Sequence, residues 1–182
     1  LIENKWSQET FLLISYADNL IHNKEKPIKT LEKFLNKNFK KILECVHILP
    51  FYPSSGDGGF SVTNHYEVDN NFGNWKDITK ISKRFKIMAD IVINHASIKS
   101  DWFQNYLKDK NPGKDYFISI DKTFDTSKVV RPRDHKLLKK IDIFRKSDYL
   151  WRTFSADQID LDFKNPSVLL RFIKIMVHLI SN

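Results

Sequence analysis

The chain has 182 residues, 41% hydrophobic, 29% charged and 13% aromatic, with only 5 Gly and 6 Pro. That composition excludes low-complexity, collagenous and disordered readings, and a chain of this length buries about two-thirds of its extended surface in one sizeable core. Lys and Arg number 30 against 22 Asp and Glu, a formal charge of +8. The lysines are scattered along helix-like stretches, 24–41, 76–86 and 136–146, so a solvated surface accounts for them better than a nucleic-acid patch.

The single cysteine, Cys45, excludes an internal disulfide and favours the cytoplasm. No stretch approaches ~18 uninterrupted apolar residues, and the opening LIENKWSQET lacks the charged head and apolar run of a signal peptide, so no membrane partner is expected. Opening on Leu1 and stopping at Ile180-Ser181-Asn182 inside an apolar helical pattern, the chain reads as a fragment at both ends.

Residues 11–17 (FLLISYA) form a short apolar run ending in Asp18 and Asn19, the pattern of a strand buried on both faces of a parallel sheet. Residues 30–39 then place Leu31, Phe34, Leu35 and Phe39 at helical spacing, with Thr30 as N-cap. A second apolar run, residues 45–49, is closed by Pro50 and followed by a long Gly- and Ser-bearing loop, 51–75. Residues 77–85 put Ile78, Ile81 and Phe85 on one helical face, and residues 87–93 (IMADIVI) make a third apolar run. This βαβαβ alternation predicts a parallel sheet with right-handed crossovers.

Residues 100–107 read as a short helix, and the charged stretch 108–149 is long enough to carry function or a small substructure of its own. Pro166 suits a helical N1 position and opens 167–180, where Leu169, Leu170, Ile173, Val177 and Ile180 make an apolar face. No internal repeat is present. The α/β alternation fits a doubly wound sheet or a (β/α)8 barrel, and since a barrel needs ~250 residues, only about half of one is encoded. Its first and third strands would be open edges, so the isolated chain is expected to aggregate or stay molten.

In either architecture the active site lies at the carboxyl ends of the strands. Three polar segments follow the apolar runs: Tyr16-Ala17-Asp18, Ser54-Ser55-Gly56-Asp57-Gly58-Gly59-Phe60, and Asn94-His95. Asp90, inside the third run, must find donors in a neighbouring strand or loop. His95 is read equally well as a satisfied core histidine or as a substrate contact. The GDGG segment lacks the Lys-Ser/Thr of a P-loop and the acidic spacing of an EF-hand, so as a bare pattern it is a tight turn in which Asp57 caps the backbone. No HExxH, CxxC or GxSxG occurs, leaving zinc protease, thiol redox and serine hydrolase chemistry without support.

SYADNL, VHILPFYPSSGDGGFSVTNHYEVDNNFGNW, ADIVINHASIKSDWFQNYL, VVRPR and TFSADQIDLDFKNP stand in the order found in sucrose phosphorylases and their relatives within glycoside hydrolase family 13. The resemblance covers essentially the whole chain. DIVINH is similar to the first conserved region of the α-amylase superfamily, and QIDLDF to the short region between the third and fourth strands. The resemblance implies the N-terminal part of a (β/α)8 TIM barrel, with residues 1–182 as part of a catalytic domain and 108–150 as a long inserted loop or small subdomain. It implies a retaining enzyme that transfers α-glucosyl from a sucrose-like glucoside to phosphate through a covalent glucosyl-enzyme, releasing glucose 1-phosphate. A hydrolase or transglucosidase of the same superfamily is the alternative.

The family's nucleophile, acid/base and third carboxylate follow its fourth, fifth and seventh strands, so no catalytic residue is assigned to this chain and the isolated fragment is expected to be inactive. By resemblance, Asp57 is the carboxylate on glucose hydroxyls, Phe60 the aromatic wall of the sugar and His95 a donor to the hydroxyls near the scissile carbon. Arg133 is the arginine that meets phosphate, with Arg131 able to exchange roles, and Phe154 and Gln158 line the acceptor site. Asn94 corresponds to a calcium ligand of many amylases, but the phosphorylase branch lacks that site, so no metal or cofactor is expected beyond inorganic phosphate as co-substrate. The basic residues Arg131, Arg133, His135 and Lys136 would suit an anionic acceptor.

Overall fold

The computed structural model describes residues 10–131, 133–143 and 146–182; residues 1–9, read above for a targeting segment, and Pro132 of the VVRPR stretch lie outside them. Two compact units emerge, one from the described part of Leu1–Pro53 with Glu67–Ile91 and Asn182, the other from Ser54–Tyr66 with Val92–Ser181. Residues 108–150 belong to the second unit together with the loop 54–66 and the C-terminal helix.

The first unit is the expected βαβαβ. Strands β1 (Leu12–Ser15), β2 (Cys45–Ile48) and β3 (Lys86–Ala89) alternate with helices α1 (Pro27–Asn38) and α2 (Trp75–Ser82). The strands pair in parallel in the order β1-β2-β3, with Leu12 opposite Cys45 and Cys45 opposite Lys86. Only β2 is flanked on both sides, and Cys45, Val46 and Ile48 are buried there. The first run is not buried on both faces as its composition suggested: Leu12 is 39% and Ile14 57% exposed, because β1 is an edge strand.

Helix α1 starts three residues before the expected Thr30 cap, since Pro27 presets the helical φ at N1 and needs no N–H partner there. Thr30 instead donates to the Glu25 carboxylate at 3.2 Å. Helix α2 also starts early, capped by Asn74, whose side chain accepts from the Lys76 N–H at 3.0 Å while Asp77 accepts from the Asn74 N–H at 3.2 Å. The third strand stops at Ala89, short of the expected Ile93. Asp90, just beyond it, finds the donor it requires in the neighbouring strand: His47 Nε2 lies 2.8 Å from its carboxylate.

The second unit contains β4 (His95–Ser97), α3 (Asp101–Leu107), β5 (Ser119–Ile120), β6 (Leu138–Ile143), β7 (Lys146–Trp151), β8 (Gln158–Asp160) and α4 (Pro166–Ser181). β4 pairs antiparallel with β8, His95 opposite Asp160 and Ser97 opposite Gln158. The charged stretch does carry a substructure, the antiparallel sheet β5-β7-β6. Of its lysines at 136–146, read from spacing as helix-like, Lys139 and Lys140 lie on β6 and Lys146 opens β7, where strand pairing around the fully buried Leu150 overrides local helical preference.

Helix α4 opens at Pro166 as expected but buries a different stripe. Val168, Phe172 and Ile175 are its core face, whereas Leu169, Leu170, Ile173, Val177 and Ile180 are 45–86% exposed. The helix is apolar nearly all round, so two stripes compete and periodicity alone cannot choose between them.

Phe172 belongs to an aromatic core in which His65 stacks on Trp102 at 5.9 Å and meets Phe172 edge-on at 5.5 Å. Burial pushes His65 from its ordinary 6.5 down to about 4, and its Nε2 donates to the Val92 carbonyl at 3.2 Å. The folded state therefore holds this imidazole neutral, while the unfolded chain takes up a proton below about 6.5. Stability from this group is full above that pH and is lost as pH falls towards about 4, at up to about 1.4 kcal/mol per pH unit. A His65→Leu variant is expected to flatten this acid limb when thermal midpoints are followed from pH 8 to 4; an unchanged slope would show that other groups carry it.

Candidate functional site

The loop after Ser54 is closed by a bridge between Ser54 and Val62 and by the Ser55 N–H on the Ser61 carbonyl at 3.0 Å. At its tip Asp57–Gly59 make a single 3-10 turn in which Asp57 has φ 55° and Gly58 φ 58°. Asp is among the few side chains that tolerate this left-handed region, and two glycines beside it keep the turn tight enough to leave the carboxylate at the surface. The Asp57 carboxylate reaches away from its own turn: its Oδ2 accepts from Gln158 Nε2 at 2.7 Å across 101 residues of sequence.

β4 and β8 supply the buried side of the site. His95 and Gln158 are 5% and 0% exposed. His95 Nε2 donates to the Phe60 carbonyl at 3.0 Å, which leaves Nδ1 as the acceptor nitrogen of a neutral ring. Burial is the main influence lowering the His95 pKa, opposed by the Phe60 carbonyl and by Asp160, Asp57 and Asp157, so the neutral form is favoured. Among the described residues, His95 Nδ1 and Gln158 Oε1 are buried and have no hydrogen-bond partner. Two unpartnered acceptors beside a carboxylate suit a polyhydroxylated ligand, since hydroxyls donate to all three. The donor role expected of His95 is taken here by its bond to Phe60.

The Phe154 ring lies 5.2 Å from the His95 ring and is 38% exposed. Above it, the Arg133 guanidinium carbon stands 5.9 Å from the ring centroid. Arg131 does different work. Its guanidinium donates to the main-chain carbonyls of Thr153, at 3.3 Å, and His135, and lies 3.2 Å from His135 Nε2. Tied to backbone in this way, Arg131 braces the loop, while Arg133 is exposed beside Phe154.

Phe60, His95, Phe154 and Arg133 thus form one run of contacts within the second unit and Asp57 and Gln158 another, joined by the Phe60 N–H on the Asp57 carbonyl at 3.0 Å. Asn94 contributes its main-chain carbonyl to the Leu161 N–H at 2.9 Å. Reasoning from the sequence missed Ser55, Ser97, Asp157 and Asp160. Asp160 is 5% exposed and accepts from the Thr153 N–H at 3.0 Å and hydroxyl at 2.6 Å, holding the segment between Phe154 and Gln158. All four stood inside quoted motifs, but nothing in a hydroxyl or a carboxylate alone signals its partner.

The alpha amylase catalytic-domain model matches residues 40–182. The chain belongs to that family, glycoside hydrolase family 13, and its fold is the N-terminal part of the TIM barrel. It is 41% identical over 180 residues to the glucosylglycerate phosphorylase of Allomeiothermus silvanus, covering 99% of this chain and 32% of that protein. To the sucrose 6(F)-phosphate phosphorylase of Thermoanaerobacterium thermosaccharolyticum it is 37% identical over 165 residues, covering 82% of this chain and 33% of that protein. The crystal structure of sucrose 6F-phosphate phosphorylase from Thermoanaerobacter thermosaccharolyticum superposes with a TM-score of 0.82 at 31% identity, over 96% of this chain and 38% of that one. The chain spans about a third of the length of the curated relatives it matches.

Proposed function

We propose that this chain is the N-terminal third of a retaining glucoside phosphorylase that transfers α-glucosyl from a sucrose-like or glucosylglycerate-like donor to phosphate. The observation that carries the reading is the grouping of the Asp57 carboxylate with the unpartnered acceptors of His95 and Gln158, a set complementary to sugar hydroxyls. Phe60 and Phe154 offer apolar faces on which a pyranose ring packs. Arg133 gives the site a planar cationic fork of the shape that phosphate or a carboxylate takes bidentately. The names of the relatives support phosphate as acceptor and an anionic leaving alcohol, such as glycerate or a sugar phosphate.

In this mechanism the chain's own residues bind and orient. Asp57 and Gln158 hold hydroxyls by charge-assisted and neutral hydrogen bonds, and neutral His95 accepts from one more. The two carboxylates of a retaining double displacement, about 5 Å apart, would come from the rest of the protein, so the fragment alone should be inert. Among the described residues no helix is long and apolar enough to cross a membrane; the buried thiol of Cys45 fits our placement of the enzyme in the cytoplasm.

The test is product analysis of the full-length protein given sucrose, sucrose 6-phosphate or glucosylglycerate with and without inorganic phosphate. Phosphate-dependent glucose 1-phosphate is the expected result. Free glucose at the same rate with or without phosphate would instead make the enzyme a hydrolase.

A further inference from the structure

Three segments carry the pocket residues: the loop bearing Asp57, strand β4 bearing His95, and strand β8 bearing Gln158. A second set of side chains lies one step along each of them. Ser55 precedes Asp57 by two residues, Ser97 follows His95 by two on the same strand, and Asp157 immediately precedes Gln158. On a strand a spacing of two returns to the same face, so Ser97 and His95 share one face of β4.

These three side chains meet. Ser55 Oγ lies 2.6 Å from Ser97 Oγ and donates to Asp157 Oδ2, while Ser97 Oγ lies 3.4 Å and 3.5 Å from the two Asp157 carboxylate oxygens. Ser97 is 0% exposed and its Oγ also accepts from the Lys99 N–H at 2.8 Å. The main chain repeats the linkage: the Ser97 N–H donates to the Val62 carbonyl at 3.1 Å and the Ile98 N–H to the Asp157 carbonyl at 2.9 Å. One carboxylate therefore gathers the hydroxyls of the other two segments, and each hydroxyl stands two residues from a pocket side chain.

We infer that Asp157, with Ser55 and Ser97, is a positioning cluster that sets the spacing of Asp57, His95 and Gln158, and with it the preference for a sugar carrying its full set of hydroxyls. The inference rests on the glucose-pocket reading above. Asp157 touches no substrate in this scheme; it acts through the loop and the two strands. Removing its carboxylate leaves two hydroxyls to satisfy each other and loosens a loop otherwise tied by its main-chain bonds and by Gln158, so Asp57 meets its hydroxyl at a less fixed distance. An asparagine keeps the network, because its amide oxygen accepts from one serine while its NH₂ donates to the other.

The experiment measures kcat/KM of the full-length protein on an intact glucosyl donor and on its monodeoxyglucosyl analogues, for wild type, Asp157→Ala, Asp157→Asn and Ser55→Ala. Asp157→Ala should lose about 10- to 100-fold on the intact donor but only about threefold on the analogue lacking the hydroxyl that Asp57 holds, as coupled groups do in a double-mutant cycle. The ratio of glucose to glucose 1-phosphate should stay constant. Asp157→Asn should stay within about fivefold of wild type, and Ser55→Ala should show the same selective loss at smaller size, which keeps the comparison available if Asp157→Ala does not fold. Equal losses on intact and deoxy donors, or unchanged kcat/KM with only a lowered Tm, would overturn the inference and leave a brace of the fold. A wild-type protein that turns over none of the glucosyl donors would overturn the pocket reading itself, a result separable from an active enzyme indifferent to Asp157.

Discussion

An Asp57→Asn substitution in the full-length protein is expected to lower kcat/KM for the glucosyl donor by about 100-fold or more while reducing glucose 1-phosphate and free glucose in the same proportion. The side chain sits at φ 55° and accepts from Gln158 at 2.7 Å. Asparagine tolerates that backbone conformation and preserves the shape, so the variant removes the charge without straining the turn. A charge-assisted hydrogen bond to a sugar hydroxyl is worth about 2–5 kcal/mol once its surroundings are desolvated, and each 1.4 kcal/mol is tenfold in rate. Asp57→Ala also removes the acceptor of the Gln158 amide and puts a side chain less tolerant of the left-handed region at φ 55°, and should lose more. Because glucose occupies the same pocket in both halves of a double displacement, the two products fall together. Product assays at saturating donor and at limiting donor check this; a variant within threefold of wild type would remove Asp57 from the pocket.

Arg133→Ala should behave differently, slowing phosphorolysis by about tenfold or more while sparing the slow hydrolysis of the same donor, so that the ratio of glucose to glucose 1-phosphate rises. Phosphate enters only after the glucosyl-enzyme has formed, and water needs no guanidinium to attack it. The geometry separates this arginine from its neighbour: Arg133 lies over Phe154 at 5.9 Å, whereas Arg131 is held by the carbonyls of Thr153 and His135. Arg133→Lys keeps the charge but loses the planar fork and should fall between wild type and alanine. If Arg133→Ala lowers both products equally, the residue belongs to the loop's solvated surface and the phosphate contact lies elsewhere.

Much of the scaffold could be read without coordinates. The βαβαβ alternation, the helix started by Pro166 and the short helix over 100–107 could all be read from the sequence, and the structure contains each of them, with Ser100 as the cap of the last. The errors have physical causes. Leu12 and Ile14 belong to an apolar run that composition makes look central, yet the sheet leaves them on an edge. α4 offers two apolar stripes, and only its packing partners Trp102 and Phe163 select the one with Phe172. The apolar residues 91–93 do not extend the third strand, and His95 enters a separate strand paired with β8.

By itself the sequence determined the βαβαβ order, most of the helices and, through quoted motifs such as DIVINH and QIDLDF, the family. Local order follows from neighbours three, four or two positions apart, so it is written into any short window. The tertiary structure alone decided that Gln158 meets Asp57 over 101 residues, that Ser55 meets Asp157 over 102, and that Arg131 is a brace while Arg133 faces Phe154. Those pairings lie largely on loops and strand ends, where no periodicity constrains direction, and each is chosen by the need to satisfy a polar group that folding has taken out of water.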